Sequence, residues 1–206
     1  MNIDAQEALQ RLQDGNLRFS RGDGSVSNLC QTTRRQELAD GQNPFAIILG
    51  CSDSRVPAEI IFDQGIGDLF VIRVAGNIVA PSQIGSIEFA AERFGTPLVV
   101  VLGHSRCGAI CATLEELERP AESRSPNLNS IVDRIRPSVE ILLNTELRKD
   151  RDKLISCAVQ ANIYTSTNQL RHGSAILERL IQEGRLLVVG AHYELDTGLV
   201  EFYQDH

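Results

Sequence analysis

The chain has 206 residues, 42% hydrophobic and 23% charged, with a formal net charge of −7 at pH 7. This is an ordinary globular balance that excludes a disordered or fibrous chain, and the length suits one domain with a sizeable core or at most two small ones. The acidic excess offers no basic face to nucleic acid, and the longest apolar runs fall far short of the about 18 residues needed to cross a membrane.

Residues 4–19 read as an amphipathic helix with Ala5, Ala8, Leu9 and Leu12 on one stripe. Four short apolar runs follow, at residues 45–49, 69–72, 98–102 and 186–189. They show no alternation, which predicts strands buried on both faces, as in a parallel sheet covered by helices. Between them, residues 82–94 predict a helix capped by Ser82, and residues 107–117 a helix with Ile110, Leu114 and Leu117 on one stripe. The polar loop at 118–129 is too short to divide domains, and 127–183 predicts two or three helices. Residues 194–199 read as a hairpin turn before an antiparallel edge strand at 200–203. The expected fold is α/β: a mostly parallel central sheet of four strands plus an antiparallel C-terminal edge strand, flanked by helices. An extended N-terminal helical arm (1–40) and an α/β core (41–206) would make one unit over 1–206.

Five cysteines, at 30, 51, 107, 111 and 157, are an odd and widely spaced set. The first residues lack the basic-then-apolar pattern of a secretory signal. Both features favour a reducing compartment, the cytoplasm, over a disulfide scaffold. Two motifs carry chemistry. Cys51-Ser52-Asp53-Ser54-Arg55 follows the first apolar run, and His104-Ser105-Arg106-Cys107-Gly108 follows the third. Two thiols, an imidazole and a carboxylate form a ligand set suited to zinc. In open α/β sheets, sites form at the carboxyl ends of adjacent strands, so Cys51 meets His104 and Cys107 if the first and third strands are neighbours. Cys107 also opens a predicted helix, whose dipole favours a thiolate. The plainer alternative is that the cysteines are buried core thiols, that His104 is a turn residue, and that Asp53-Arg55 is a local ion pair. Cys111, one helical turn beyond Cys107, reads as a core thiol and His172 as a solvated side chain.

The run Cys51-Ser52-Asp53-Ser54-Arg55-Val56-Pro57, then Gly67-Asp68-Leu69-Phe70-Val71-Ile72-Arg73, then Gly103-His104-Ser105-Arg106-Cys107-Gly108, resembles the β-class carbonic anhydrases. Gly15-Asn16-Leu17-Arg18-Phe19 is similar to that family too. The resemblance implies reversible hydration of CO2 to bicarbonate and a proton, by attack of a zinc-bound hydroxide. It implies one zinc (Zn2+) per chain on Cys51, His104 and Cys107. Asp53, held by Arg55, would either orient the hydroxide or swing in as a fourth metal ligand. Gln42 and Phe70 match substrate-pocket positions that the family draws from a neighbouring subunit, and Gly108 offers an accessible backbone N–H. The active unit would then be a homodimer or a dimer-based tetramer or octamer, acting on CO2/bicarbonate without nucleic acid or membrane.

The chain also departs from parts of the pattern. Ile48 stands where bicarbonate-regulated members carry Trp, although Arg73 and Tyr193 match other parts of that regulatory pocket. Phe89 stands where many plant-like members have Tyr, and Arg93 where some have a proton-carrying His, so the proton relay is unassigned. Hydrolases of carbonyl sulfide and carbon disulfide resemble the same zinc set; Gln42 favours CO2. A non-catalytic zinc scaffold is opposed by the intact Asp53 and Arg55.

Overall fold

The computed structural model describes residues 3–24, 32–118 and 125–203. Strands β1 (Ala46–Gly50), β2 (Leu69–Arg73), β3 (Leu98–His104), β4 (Leu187–Tyr193) and β5 (Val200–Tyr203) form one sheet in the order β2-β1-β3-β4-β5. All neighbours are parallel except β4 and β5, which pair antiparallel as expected. The helices are α1 (Ala5–Arg21), α2 (Thr32–Glu37), α3 (Ala58–Ile61), α4 (Pro81–Arg93), α5 (Gly108–Glu118), α6 (Pro126–Val139), α7 (Arg151–His172) and α8 (Ala175–Gln182).

The sheet is the middle of three layers. On one face, Ile47, Leu49, Val99 and Val101 pack with Ile87 of α4, Ile110 and Leu114 of α5, Ile135 of α6 and Ile163 of α7. On the other, Ile48, Val100 and Leu102 meet Ala8, Leu9 and Leu12 of α1 and Ile61 of α3. Every residue of β1 and β3 is buried, so the unbroken apolar runs report central strands. β2 differs: its residues are only half-buried, because it is an edge strand with one side unpaired.

Local chemistry sets the helix ends. Asp4 caps α1 by accepting the Glu7 N–H at 2.8 Å, and Asp150 and Ser174 cap α7 and α8 in the same way. The expected Ser82 cap is absent. Pro81 starts α4 instead, with its fixed φ and missing N–H suited to the first turn, which places Ser82 inside the helix. The stretch 126–182 holds three α-helices, α6 to α8. Helix α7 seats unusually close to the sheet, because a Cβ at Gly103 or Gly190 would lie 2.5 or 2.8 Å from the Ile163 side chain.

Candidate metal centre

β1 and β3 are neighbours, with Gly50 opposite Leu102, so both strands release their chains at the same edge of the sheet. Cys51 follows β1, His104 ends β3, and Cys107 immediately precedes α5. The topology therefore does what the two motifs require. Cys51, His104 and Cys107 are all buried, and one ligand atom from each lies within 4.8 Å of the others. The two sulfurs are 3.9 Å apart.

His104 is held in one tautomer. Its Nδ1 lies 3.0 Å from the Ser105 carbonyl oxygen. A carbonyl only accepts, so Nδ1 carries the proton and Nε2 keeps its lone pair. That Nε2 is fully buried and has no hydrogen-bond partner. A buried acceptor without a donor is costly, and a metal ion between Nε2 and the two sulfurs would satisfy it. The residues present therefore fit a tetrahedral ion with one position left open.

The thiols show the same need. The Cys51 thiol is pushed down to about 4, chiefly by the hydrogen bond it shares with Cys107, with His104 and the Gly76 N–H helping against burial. Cys107 is pushed up, because ionising it would set a second charge against the Cys51 thiolate in a buried site. With the sulfurs 3.9 Å apart, one thiolate makes a second costly. A divalent cation would remove the conflict and accept both as thiolates.

Asp53 lies beside this group rather than in it. Arg55 donates Nε to Asp53 Oδ1 at 2.9 Å and Nη2 to Oδ2 at 2.7 Å, and its backbone N–H adds a bond to Oδ1 at 2.9 Å. These bonds hold the carboxyl well below the usual carboxylate range. Asp53 Oδ2 is 3.8 Å from His104 Nε2, so the carboxylate borders the metal cavity. Gly108 is the exposed first residue of α5. Phe70 lies on β2 against Phe94 and the exposed Phe89. Gln42 precedes β1, at the opposite end of that strand from Cys51; one chain does not bring them together. Cys111 and Cys157 are half-buried free thiols outside the cluster, His172 is exposed, and Cys30 lies outside the described residues.

Three supports escaped the sequence reading. Arg73 donates Nε to the Cys51 carbonyl at 3.0 Å and Nη2 to the Asp53 carbonyl, so it clamps the metal loop. Gly76 donates its N–H to Cys51 Sγ at 3.4 Å from a tight turn at Ala75–Asn77. Ser105 donates to Glu194 Oε1 at 2.7 Å and accepts the Leu195 N–H at 3.0 Å, tying the second motif to the β4–β5 hairpin. The Gly76-Asn77 pair was a readable turn signal; the others depend on distant backbone. An apolar cavity of about 410 Å³, bordered by Ala75, Ala109, Leu128 and Ile131, opens on the α5–α6 side.

A family model described as carbonic anhydrase matches residues 46–200. The chain is 38% identical over 199 residues to carbonic anhydrase 2 of Mycobacterium tuberculosis, covering 96% of this chain and 92% of that protein. It is 38% identical over 200 residues to carbonic anhydrase of Mycolicibacterium smegmatis, covering 97% and 94%. Among solved structures, the β-carbonic anhydrase CcaA superposes with a TM-score of 0.76 at 29% identity, covering 95% of each chain. The tetrameric β-carbonic anhydrases of Sordaria macrospora give 0.69 at 26% identity, covering 82% of this chain and 85% of theirs.

Proposed function

The chain belongs to the β-class carbonic anhydrases, enzymes that interconvert CO2 and bicarbonate, and we propose that in this member the reaction runs at one zinc held by Cys51, His104 and Cys107, with Asp53 and Arg55 as the orienting dyad. The observation that carries this reading is His104 Nε2, a buried lone pair without a donor, set within 4.8 Å of two buried sulfurs. When bound, zinc supplies a Lewis acid that lowers the pKa of a water on its open position far below that of bulk water and so makes hydroxide available.

The chain's own residues do the rest. Cys51 and Cys107 give two thiolates, and the Ser105 carbonyl fixes the His104 ring. Arg55 takes both lone pairs of Asp53 Oδ1 but only one of Oδ2. The remaining Oδ2 lone pair faces the metal cavity. There Asp53 would accept a hydrogen bond from the attacking oxygen and so orient it toward the carbon of CO2. The Arg55 fork keeps the carboxylate from becoming a ligand, so the open position stays free.

Gln42 lies too far along β1 to serve its own chain's metal, so a second copy presents it, together with Phe70, and the active unit is at least a dimer. The unpaired edge of β2 and the exposed Phe89 support such a surface. The chain then works as one unit, arm 1–40 and core 41–206. No helix of the described residues is long and apolar enough to cross a membrane. The free thiols at 51, 107, 111 and 157 fit the reducing cytoplasm. X-ray absorption at the zinc edge tests the ligand set: two sulfurs at about 2.3 Å and one nitrogen at about 2.0 Å are expected. A shell of oxygen and nitrogen alone would overturn it.

A further inference from the structure

The Gly76 N–H reaches the candidate metal ligand Cys51 from the short turn between β2 and α4. The nitrogen lies 3.4 Å from Cys51 Sγ. Gly76 has φ +72°, and a Cβ there would lie 2.8 Å from Ile135 Cδ1. The turn is therefore shaped for glycine alone. What fixes it comes from α7. Asn162 donates Nδ2 to the Gly76 carbonyl at 2.8 Å, and one turn later Ser166 donates to the Asn77 carbonyl at 3.2 Å. Ser138 of α6, whose hydroxyl donates to the Ile135 carbonyl at 2.6 Å, lies 3.4 Å from Asn162 Oδ1. Asn162 is 2% exposed, on the buried face of α7 between apolar Val159 and Ile163 and polar Ser166 and Thr167. Its neighbour Ile163 is locked against Gly103 and Gly190, so the Asn162 amide has a fixed origin.

We infer that Asn162 is a positioning residue for the metal thiolate: by holding the Gly76 carbonyl, it aims the Gly76 N–H at Cys51 Sγ. This rests on the metal reading above. A hydrogen bond to a thiolate withdraws charge from sulfur, so less is donated to the metal, and the metal is the stronger Lewis acid for it. Asn162 touches neither metal nor substrate. It acts across the Gly76 Cα, from the Gly76–Asn77 peptide that it holds to the Ala75–Gly76 peptide that donates to sulfur, with a rigid helix as its anchor.

Cobalt(II) put in place of zinc reads this directly, because its thiolate-to-metal charge-transfer band reports the electron richness of the sulfurs. The variants are Asn162→Leu and, in case that one fails to fold, Asn162→Ala, which leaves a hole rather than a bulge. Thr167→Val is the control: it removes a buried hydrogen bond within α7, to the Ile163 carbonyl, without touching the turn. The expected result is a band moved to lower energy in the Asn162 variant and unmoved in Thr167→Val, with zinc affinity in chelator competition falling about 10- to 100-fold, as for other supporting partners of metal ligands. A band unmoved in the Asn162 variant, or moved equally by Thr167→Val, would overturn the inference while leaving the metal reading intact. Absence of any thiolate-to-cobalt band in the wild-type protein would remove both.

Discussion

Arg55 holds both carboxylate oxygens of Asp53, Nε on Oδ1 and Nη2 on Oδ2, at 2.9 and 2.7 Å. The pair is two residues apart in sequence yet makes a bidentate fork, because the turn after β1 folds the Arg55 side chain back over Asp53. Arg55 is half exposed, so the pair adds little to stability. Its consequence is geometric, since it fixes the Asp53 carboxylate beside the metal cavity, with Oδ2 3.8 Å from His104 Nε2.

Arg55→Lys keeps the charge and loses the fork. A carboxylate displaced by about 1 Å costs roughly 100-fold in catalysis. CO2 hydration should therefore fall by about that factor while zinc content stays at one per chain. Stopped-flow rates normalised to zinc check both halves, and an unchanged rate would remove the dyad from the account.

The pH profile follows from charge. Two thiolates and a neutral imidazole cancel a divalent ion, whereas a three-histidine site leaves it +2 and brings its water to a pKa of about 7. This centre is the weaker Lewis acid, so activity should rise from pH 7 to pH 9. Asp53 contributes no limb there: Arg55 holds it well below the usual carboxylate range, so it is ionised throughout. A flat profile would contradict the two-thiolate centre.

His192 sets a separate pH effect on the fold. Burial pushes its pKa down, against Glu194 and Glu201, which push it up; His104 nearby adds to the lowering. The unfolded chain therefore takes up a proton at a higher pH than the fold does. Stability should fall as pH drops through the unfolded value of about 6.5, and the loss continues to the lower folded value. His192→Gln should flatten that part of the curve in thermal melts run from pH 7.5 downward. An identical slope in the variant would exclude His192.

The seat of α7 can be tested by volume. Gly103→Ala drives a methyl to within 2.5 Å of Ile163 and should destabilise by about 1–3 kcal/mol. Ile163→Ala empties a fully buried position and should cost about 2–5 kcal/mol. Together they should cost less than the sum, since each relieves the other. Urea unfolding of the four proteins measures the coupling, and simple additivity would show that the close approach is not strained.

The sequence carried the frame wherever burial was complete. The apolar runs of β1 and β3 have no alternation because helices cover both faces, and that pattern led to the parallel sheet. The hairpin at 194–199 was readable from its turn residues, and the structure closes it with the Glu194 N–H on the Leu199 carbonyl at 2.8 Å. Edges were less legible. β2 has an apolar run like the others, yet is only half-buried, because strand order is not written in composition. Ser82 looked like a cap, but Pro81 beside it is the better helix start. At the site, the candidate ligands were legible because they cluster in two short motifs. Asn162 was not, since its partner is a backbone carbonyl 86 positions away and any polar residue on a helix reads first as solvated.

The most direct measurement is stopped-flow CO2 hydration from pH 7 to pH 9 on protein with its zinc content measured, alongside His104→Ala. Fast turnover that rises with pH in the wild type, and is lost with the metal in His104→Ala, is the predicted result. One zinc per chain with no turnover at any pH would contradict the account.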